Sequence, residues 1–158
     1  MYLSLGLRSP LTFNVARVSF SRHPFYFGGK NMIYTSYFAN VKSLPSEVIP
    51  IAICGGVPEW WCGLQYRKLA PKREFFNEWK SSGDNDYYVK CYYEQVLSHL
   101  DPAQVYKELY KLVEYTGSYT ENIALLCYEK PEDFCHRHLA ADWFNKNGIA
   151  CKEWTSNC

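Results

Sequence analysis

Apolar residues along this chain recur with two different periods, and the changes of period predict alternating strands and helices. Short continuous apolar runs are typical of strands that are covered on both faces of a parallel sheet. Such runs occur at residues 48–53 and 123–127, and further strand patterns occur at 33–38 and, weakly, at 149–154. Proline has no N–H to donate to a sheet, so Pro50 predicts that the regular part of the second strand starts only at Ile51.

Helical spacing of apolar residues fills the intervals between these strands. It predicts four helices, at residues 71–80, 86–100, 101–117 and about 133–147. Asp101 and Pro102 are typical N-cap and N1 residues, and Gly117 and Gly148 are typical of helix ends. Strands that alternate with helices favour an α/β fold with a mainly parallel sheet.

The first 31 residues differ in composition from the rest of the chain. They contain four Lys and Arg and no acid, whereas residues 32–158 hold 13 Lys and Arg against 16 Asp and Glu. This leader fits an organelle transit peptide, or else upstream sequence before a natural start at Met32. The second interpretation is favoured, because Met32 leads directly into the folded pattern. We expect residues 1–31 to be a poorly ordered leader or upstream extension and residues 32–158 to form a single α/β domain.

The overall composition argues against several classes of protein. With 47% hydrophobic and 21% charged residues it is typical of a globular domain, and a formal net charge of +1 gives no electrostatic argument for nucleic acid or an anionic membrane. No apolar run approaches the roughly 18 residues that a spanning helix needs, so no membrane role is expected. The seven cysteines are odd in number and include no CxxC pair, which favours reduced thiols and a cytoplasmic location.

One long segment, residues 54–71, has no regular period and is rich in Gly, Pro and Trp. A loop of this length in a small domain is more often functional than filler. Ligands of open α/β sheets bind beyond the carboxyl ends of strands. This loop and the segment after residue 127 both leave such ends, so we expect them to face one crevice if their strands are neighbours.

The strand-to-helix junction in 123-IALLCYEKPEDFCHRHLAADWF-144 gathers residues that can do chemistry. A helix that starts near residue 133 puts Cys135, His136 and Arg137 in its first turn, where free N–H groups and the helix dipole favour an anion. Arg137 can hold a phosphate or carboxylate through two hydrogen bonds. The positive end of the helix dipole also lowers the pKa of a thiol, which makes Cys135 a candidate nucleophile. Glu129 and His136 are candidate acid–base groups, and Cys127 is a candidate ligand contact.

Each of these residues also has an ordinary structural interpretation. Cys135 has the spacing to pack against Leu139 on the same helical face, and most buried cysteines are inert. Arg137 can pair with one of the acids near it in the sequence. The junction lacks the short Cys spacings of zinc sites, so no metal is expected. The strand-end position still favours a binding or catalytic role for the junction as a whole.

The long loop supplies further candidates for ligand binding. Trp61 and Tyr66 can stack on a base or ring, although packed aromatic residues more often anchor a loop. Arg67 belongs to a local basic patch that also includes Lys72, and such a patch can receive a phosphate or be ordinary solvated surface.

The sequence resembles the domain-of-unknown-function family 488. The match runs from Met32 to about Gly148, and its most specific part is the strand-then-CHR signature, ALLCYEKPEDFCHRHLAADWF. The segments IYTSYF, WCGLQYRKLAPK and YYEQVLSHLDP resemble the branch of the family found in bacteria and their phages. The resemblance implies a Rossmann-like three-layer domain with its site at the CHR turn. Many members carry a D-V-R type element after the second strand, where this chain reads IAICGG.

The sequence leaves three functions open. The first is binding, with or without processing, of a small anionic, nucleotide-like ligand at the CHR turn. The second is a non-catalytic module that binds protein or nucleic acid, for instance in conflict between phage and host, through Trp61, Tyr66 and Arg67. The third is a thiol-redox protein that uses Cys127 and Cys135. The sequence indicates no particular cofactor and no oligomeric state.

Overall fold

One sheet of five parallel strands forms the centre of the structure, a computed structural model that describes residues 31–118 and 122–155. The strands are β1 (Met32–Tyr37), β2 (Val48–Ala52), β3 (Leu64–Gln65), β4 (Asn122–Cys127) and β5 (Cys151–Glu153). Their order in the sheet is β3-β2-β4-β1-β5. Every neighbouring pair is parallel, which confirms the predicted sheet. The leader predicted at residues 1–31 lies outside the described residues, apart from Asn31.

Four α-helices connect the strands. They are α1 (Arg73–Ser82), α2 (Asn85–Gln95), α3 (Pro102–Glu114) and α4 (His136–Lys146). Asp84 and Asp101 cap α2 and α3 by accepting the N–H groups of Tyr87 and Gln104 at 3.0 and 2.7 Å. The helix predicted at 86–100 is divided, because the α-helix ends at Gln95 and a 3-10 turn follows at residues 97–99.

The sheet has a different layer on each face, which confirms the three-layer α/β fold. Side chains such as Ile33, Ile51 and Ile123 point to the face where all four α-helices pack, and they are fully buried there. The opposite face carries Ala52 and Leu126, and a 3-10 helix at residues 38–43 and the loop after β2 cover it. Complete burial of one such Ile or Leu contributes about 1.5–3 kcal/mol, so the helical face supplies most of the core.

The structure corrects the expectation that Pro50 delays the second strand. β2 is regular from Val48, and Pro50 lies opposite Ala124 of β4. The N–H of Ile53 donates to Leu126 of β4, and N–H directions alternate along a strand, so position 50 faces β3 instead. Pairing with β3 starts only at Ile51. The missing N–H therefore costs the sheet no hydrogen bond.

The strand order opens a crevice at the carboxyl end of the sheet. The chain passes from β1 to β2 on one face and returns to β4 through α1, α2 and α3 on the other. The loop that leaves β2 packs on the first of these faces, and α4, which follows the adjacent β4, packs on the other. Neighbouring strands with connections on opposite faces are the usual place for a ligand in open α/β sheets.

Within the part of the chain that the structure describes, no helix combines the length and the apolar character needed to cross a bilayer.

Candidate functional site

A pocket of about 740 Å³ opens at the carboxyl ends of β2 and β4. Its walls come from the turn after β2, the turn after β4, the start of α4, one residue of α2, and α1 with the proline before it. The volume lies in the range of about 300–1,000 Å³ that is usual for small-molecule sites. The two loops predicted to face one crevice therefore do so, because β2 and β4 are neighbours in the sheet.

Four polar side chains in the pocket lining form what we call the thiol cluster: Cys127, Glu129, Cys135 and His136. The two sulfur atoms and a ring nitrogen of His136 all lie within 4.8 Å of one another. The sulfur of Cys127 is 3.1 Å from a carboxylate oxygen of Glu129 and 3.7 Å from Nδ1 of His136. The structure thus brings together four of the five junction residues that the sequence predicted as a site.

The local fold explains why these side chains meet. Cys127 is the last residue of β4, and Cys135 is the N-cap residue of α4, with extended backbone angles of −153° and 140°. His136 opens the helix, so α4 begins three residues later than the predicted start at 133. Cys135 therefore precedes the first turn, where its sulfur still faces the free N–H end of the helix.

His136 is held in one orientation by the strand beside it. Its Nε2 lies 3.2 Å from the carbonyl oxygen of Ile53, which can only accept a hydrogen bond. Nε2 must therefore carry the proton, and in the neutral ring Nδ1 presents a lone pair to the sulfur of Cys127. The imidazole is 4% exposed, so this orientation is fixed by packing as well as by the hydrogen bond.

The pKa values of the two thiols move in opposite directions. The hydrogen bond from Cys127 lowers the pKa of Cys135 to about 3, helped by His136 and the backbone N–H of Arg137, although burial opposes the change. The same hydrogen bond, together with burial, raises the pKa of Cys127 well above its usual range. Burial also raises the pKa of Cys54, on the same pocket wall, to about 11. Of the two thiols, Cys135 is therefore the one that releases its proton more readily.

Glu129 is the carboxylate of the cluster, and it sits in the turn directly after β4. It is half-buried and lines the pocket. Burial raises the pKa of Glu129, and the negative charge of Cys135 raises it further. A carboxyl group in this setting takes up a proton more readily than an exposed one, which suits a group that shuttles protons.

Arg137 does not line the pocket, and the anion-binding role predicted for it has no support in this geometry. The side chain is 0% exposed. Its Nε and Nη2 donate to the two carboxylate oxygens of Glu153 at 3.3 and 3.0 Å, and its Nη1 donates to the backbone carbonyl of Glu129 at 2.6 Å. Thr35 also donates to Glu153. Arg137 thus braces β5, α4 and the turn that carries Glu129, and all three of its nitrogens are engaged.

The three loop candidates lie outside the pocket. Tyr66 is 8% exposed and donates its hydroxyl to Glu108 at 2.5 Å, so it anchors the loop to α3. Trp61 donates its Nε1 to the carbonyl of Leu64 at 3.3 Å and packs against Phe38. Arg67 is exposed and lies 3.4 Å from Gln65. Packing, rather than ligand contact, accounts for the two aromatic residues.

The wall that sequence reasoning missed is α1. Arg73, Phe76, Trp79 and Lys80 line the same pocket as the thiol cluster, and Phe134 joins them from the segment before α4. Positions 73, 76 and 80 share one face of a helix, because they are three, four and seven residues apart. That spacing was visible in the sequence, but only the contact of Trp79 with Phe134, just before α4, and the shared pocket lining show that this face meets the site.

The comparisons with known proteins give one match. The family model described as the active DUF488-N3 subclade, DUF488-N3a, matches residues 44–148, which is more than half of the chain and includes the whole thiol cluster. No curated protein and no solved structure matches. The match agrees with the resemblance carried by the CHR signature, whose cysteines and histidine form the cluster. The chain therefore belongs to the DUF488 family, in the subclade DUF488-N3a.

Proposed function

We propose that this domain binds a small anionic, nucleotide-like ligand in the pocket between α1 and the thiol cluster, and that it processes the ligand at that cluster. The observation that carries the proposal is the composition of the two parts of the pocket wall. One part offers aromatic rings and two cations, and the other offers a thiolate, a second thiol, a carboxyl group and an oriented imidazole.

The aromatic part of the wall suits a flat ring. Trp79 and Phe134 lie with their ring centroids 5.6 Å apart, and Phe76 lies 5.9 Å from Trp79. All three rings line the pocket while remaining partly exposed. Stacking of a base on such a ring contributes about 1–3 kcal/mol and does not depend on the identity of the base. A nucleobase or a similar ring is therefore the apolar part that this wall fits.

The cations suit the anionic part of the ligand. Arg73 and Lys80 lie on the same face of α1, both are exposed at the pocket, and Nζ of Lys80 is 5.0 Å from the ring centre of Phe76. Arginine recognises phosphate or carboxylate through two parallel hydrogen bonds, and lysine adds a mobile charge. These two residues take the role that the sequence assigned to Arg137.

The processing part of the proposal rests on the thiol cluster. Glu129 lines the pocket 3.1 Å from the sulfur of Cys127, and the sulfur of Cys135 lies at the N-terminal end of α4. A carboxyl group beside an anionic thiolate can exchange protons with a ligand in the pocket. The description of the matching subclade as active fits this assignment. The six cysteines within the described residues are all free, which supports the predicted reducing, cytoplasmic location.

Native mass spectrometry of the full chain tests the binding part. The protein is incubated with a metabolite extract and then with a panel of nucleotides, beside the double variant Arg73→Ala/Lys80→Ala. A matched control, Lys90→Ala/Lys107→Ala, removes two exposed cations that do not line the pocket. We expect the first variant to weaken binding at least about tenfold, since hydrogen bonds to charged groups contribute about 1.5–3 kcal/mol, and the control to bind normally.

Two results would contradict the proposal. The first is equal retention of an anionic ligand by wild type and Arg73→Ala/Lys80→Ala, because the α1 wall would then play no part. The second is the absence of any small-molecule adduct on the wild type. For the processing part, Glu129→Gln should bind the same ligand and leave it chemically unchanged, whereas the wild type converts it.

An exposed aromatic patch favours a second candidate, the macromolecule-binding module. Trp60 is 60% and Tyr128 is 49% exposed, and both rings meet Phe38. Tyr128 also lines the pocket, so the patch continues the pocket wall outward. A single strand of nucleic acid could stack on it. Loss of single-strand binding in Trp60→Ala with small-ligand binding unchanged would support this candidate, and unchanged strand binding in Trp60→Ala/Tyr128→Ala would exclude it.

A further inference from the structure

Three side chains of the thiol cluster have the chemistry and the placement of metal ligands. Cys127, Cys135 and His136 are buried, their ligand atoms lie within 4.8 Å of one another, and all three line the pocket. We propose that they bind one zinc ion whose remaining coordination position opens into the pocket. This inference deepens the proposed function and rests on it for the substrate, since it names the chemistry of the same site.

The orientation of His136 is the first support. Its Nε2–H is anchored on the carbonyl of Ile53 at 3.2 Å, which leaves the Nδ1 lone pair directed at the sulfurs. Histidines that bind metals almost always donate their other ring N–H to a carbonyl or carboxylate in this way, because the bond fixes both the tautomer and the ring. The anchor also satisfies a buried N–H, as any core histidine requires, and what points to a metal is that the other ring nitrogen, Nδ1, then lies beside the thiols.

The distances are the second support. Zinc is bound at about 2.3 Å by sulfur and about 2.0–2.1 Å by nitrogen, so a tetrahedral site places neighbouring ligand atoms about 3.5–3.8 Å apart. Nδ1 of His136 is 3.7 Å from the sulfur of Cys127. The other separations are within 4.8 Å and close to this range, so side-chain adjustments of under about 1 Å suffice.

The donor set decides the kind of metal. Two sulfurs and one imidazole nitrogen favour zinc over Mg²⁺ and Ca²⁺, which prefer oxygen ligands. Two thiolates also balance the charge of a divalent ion, and this matters because an uncompensated charge in a buried cluster is costly. Arg137 does not provide that balance, because Glu153 and the carbonyl of Glu129 occupy its guanidinium.

The number of ligands indicates catalysis rather than structure. Structural zinc sites are closed by four protein ligands, whereas catalytic sites use three and keep one position for water. Here the position next to the three ligands faces the pocket, and Glu129 lies beside it. Zinc polarises a water molecule there, and Glu129 takes a proton from it. The water oxygen then bonds to an electrophilic atom of the ligand, the bond to the leaving group breaks, and Glu129 returns the proton to that group.

The spacing explains why the sequence predicted no metal. Zinc sites are usually recognised in a sequence by two cysteines that lie two to four residues apart. In this chain the first cysteine ends β4, the second caps α4 eight residues later, and the histidine follows at once. The fold, through the turn between strand and helix, supplies the proximity that a short spacing supplies elsewhere.

Zinc binding to the full chain tests the inference. The reduced protein is stripped with a chelator and titrated with zinc against a chromophoric competitor, and cobalt is used to report the ligands. We expect one zinc per chain, and with cobalt the charge-transfer and visible bands of tetrahedral thiolate coordination. Each ligand substitution should weaken zinc binding at least about 100-fold: Cys127→Ser, Cys135→Ser and His136→Asn. Loss of a residue that only orients a metal ligand already lowers metal affinity about 10–100-fold, and loss of a ligand itself should lower it at least as much.

Cys54→Ser is the matched control. Cys54 is buried and lines the same pocket, but its thiol donates to the carbonyl of Gly56 at 2.9 Å, and it is not among the three grouped ligands. This variant should keep full zinc affinity. Circular dichroism of each chelated variant separates loss of a ligand from loss of the fold, and cobalt spectra of the wild type test the ligand set without any substitution.

The outcomes separate this inference from the proposed function. A folded wild type that binds no zinc, or loses as much affinity in Cys54→Ser as in Cys135→Ser, overturns the zinc site. A Cys127–Cys135 disulfide that forms readily, with no zinc uptake after reduction, overturns it in favour of redox chemistry. If the protein binds no zinc but still binds nucleotides through Arg73 and Lys80, the zinc site is wrong and the proposed function is retained. If zinc binds and no nucleotide does, the metal site stands and the proposed ligand is wrong.

Discussion

Two polar groups meet at the start of α4, and they differ in how completely their atoms are satisfied. In the thiol cluster, two sulfurs, a carboxyl group and an imidazole face one another beside a 740 Å³ pocket. In the neighbouring brace, Arg137 and Glu153 pair within the protein, and every guanidinium nitrogen has an acceptor. The first group keeps free coordination capacity toward the pocket, and the second has none left.

The contrast arises from the geometry of one helix turn. Successive residues of a helix point about 100° apart, so His136 faces β2 and the pocket while Arg137 faces β5. The residues of the CHR triplet therefore have two different roles. Its Cys and His belong to the candidate site, and its Arg holds the strand-to-helix turn in place. Adjacent residues in a signature need not act on the same ligand.

The largest expected effect is the loss of stability when the brace between Arg137 and Glu153 is broken. Arg137→Ala should lower the free energy of unfolding by about 3 kcal/mol, the lower end of the range for a broken buried pair, because Glu153 remains partly exposed. Urea denaturation in the presence of a chelator measures it. Cys135→Ser under the same conditions should change the free energy of unfolding much less. Equal losses of unfolding free energy in the two variants would show that the brace and the thiol cluster do not differ in their contribution to stability.

Zinc should stabilise the protein through the cluster alone. At a free zinc concentration of 100 times Kd, the free energy of unfolding rises by about 2.7 kcal/mol if only the folded chain binds. Thermal or urea denaturation with and without zinc measures the gain, which Cys54→Ser should retain and Cys135→Ser should lose. A gain of the same size in Cys135→Ser would show that zinc acts elsewhere.

Acid should weaken the brace. Burial alone would raise the pKa of Glu153, but hydrogen bonds from His138, Arg137 and Thr35 lower it from 4.5 to about 2. A carboxylate with a lowered folded-state pKa stabilises the fold above about pH 4.5, and this stabilisation is lost as the pH falls toward 2. Unfolding free energies measured between about pH 5 and pH 3 should fall more steeply in the wild type than in Glu153→Gln. Parallel curves would mean that Glu153 is not the group responsible.

The smallest expected effect lies outside both groups. Trp60 is 60% exposed, so Trp60→Ala should change the free energy of unfolding by no more than about 0.5 kcal/mol. Urea denaturation beside Arg137→Ala provides the comparison. A loss close to that of Arg137→Ala would mean that the aromatic patch is part of the core rather than a surface available to partners.

Much of the fold could be predicted because the main elements carry their own patterns. The buried strands at 48–53 and 123–127 are continuous apolar runs, and Asp101 and Pro102 mark the start of α3 in the sequence. β3 was missed because two residues carry no periodicity. It exists because the backbone around Tyr66 pairs with Ala52 of β2, which is a contact between distant segments.

The candidate site divides in the same way. Cys127, Glu129, Cys135 and His136 could be grouped because they flank one strand-to-helix junction. The burial of Arg137 could not be predicted, since its partner Glu153 lies on β5, and only the sheet order brings β5 next to β1. The role of α1 likewise depends on a contact between distant residues, Trp79 and Phe134, which no local pattern records.

The position of β4 in the sheet has a consequence for folding during synthesis on the ribosome. β4 lies between β2 and β1, so these two strands cannot pair with each other, and before residue 122 emerges the described strands can form only the two-residue pairing of β2 with β3. A nascent chain up to α3 should therefore hold three of the four α-helices and almost no sheet. Arrival of β4 joins the strands and brings Cys127 into place, and Cys135 and His136 follow with α4, so sheet closure and assembly of the site should both be late folding steps.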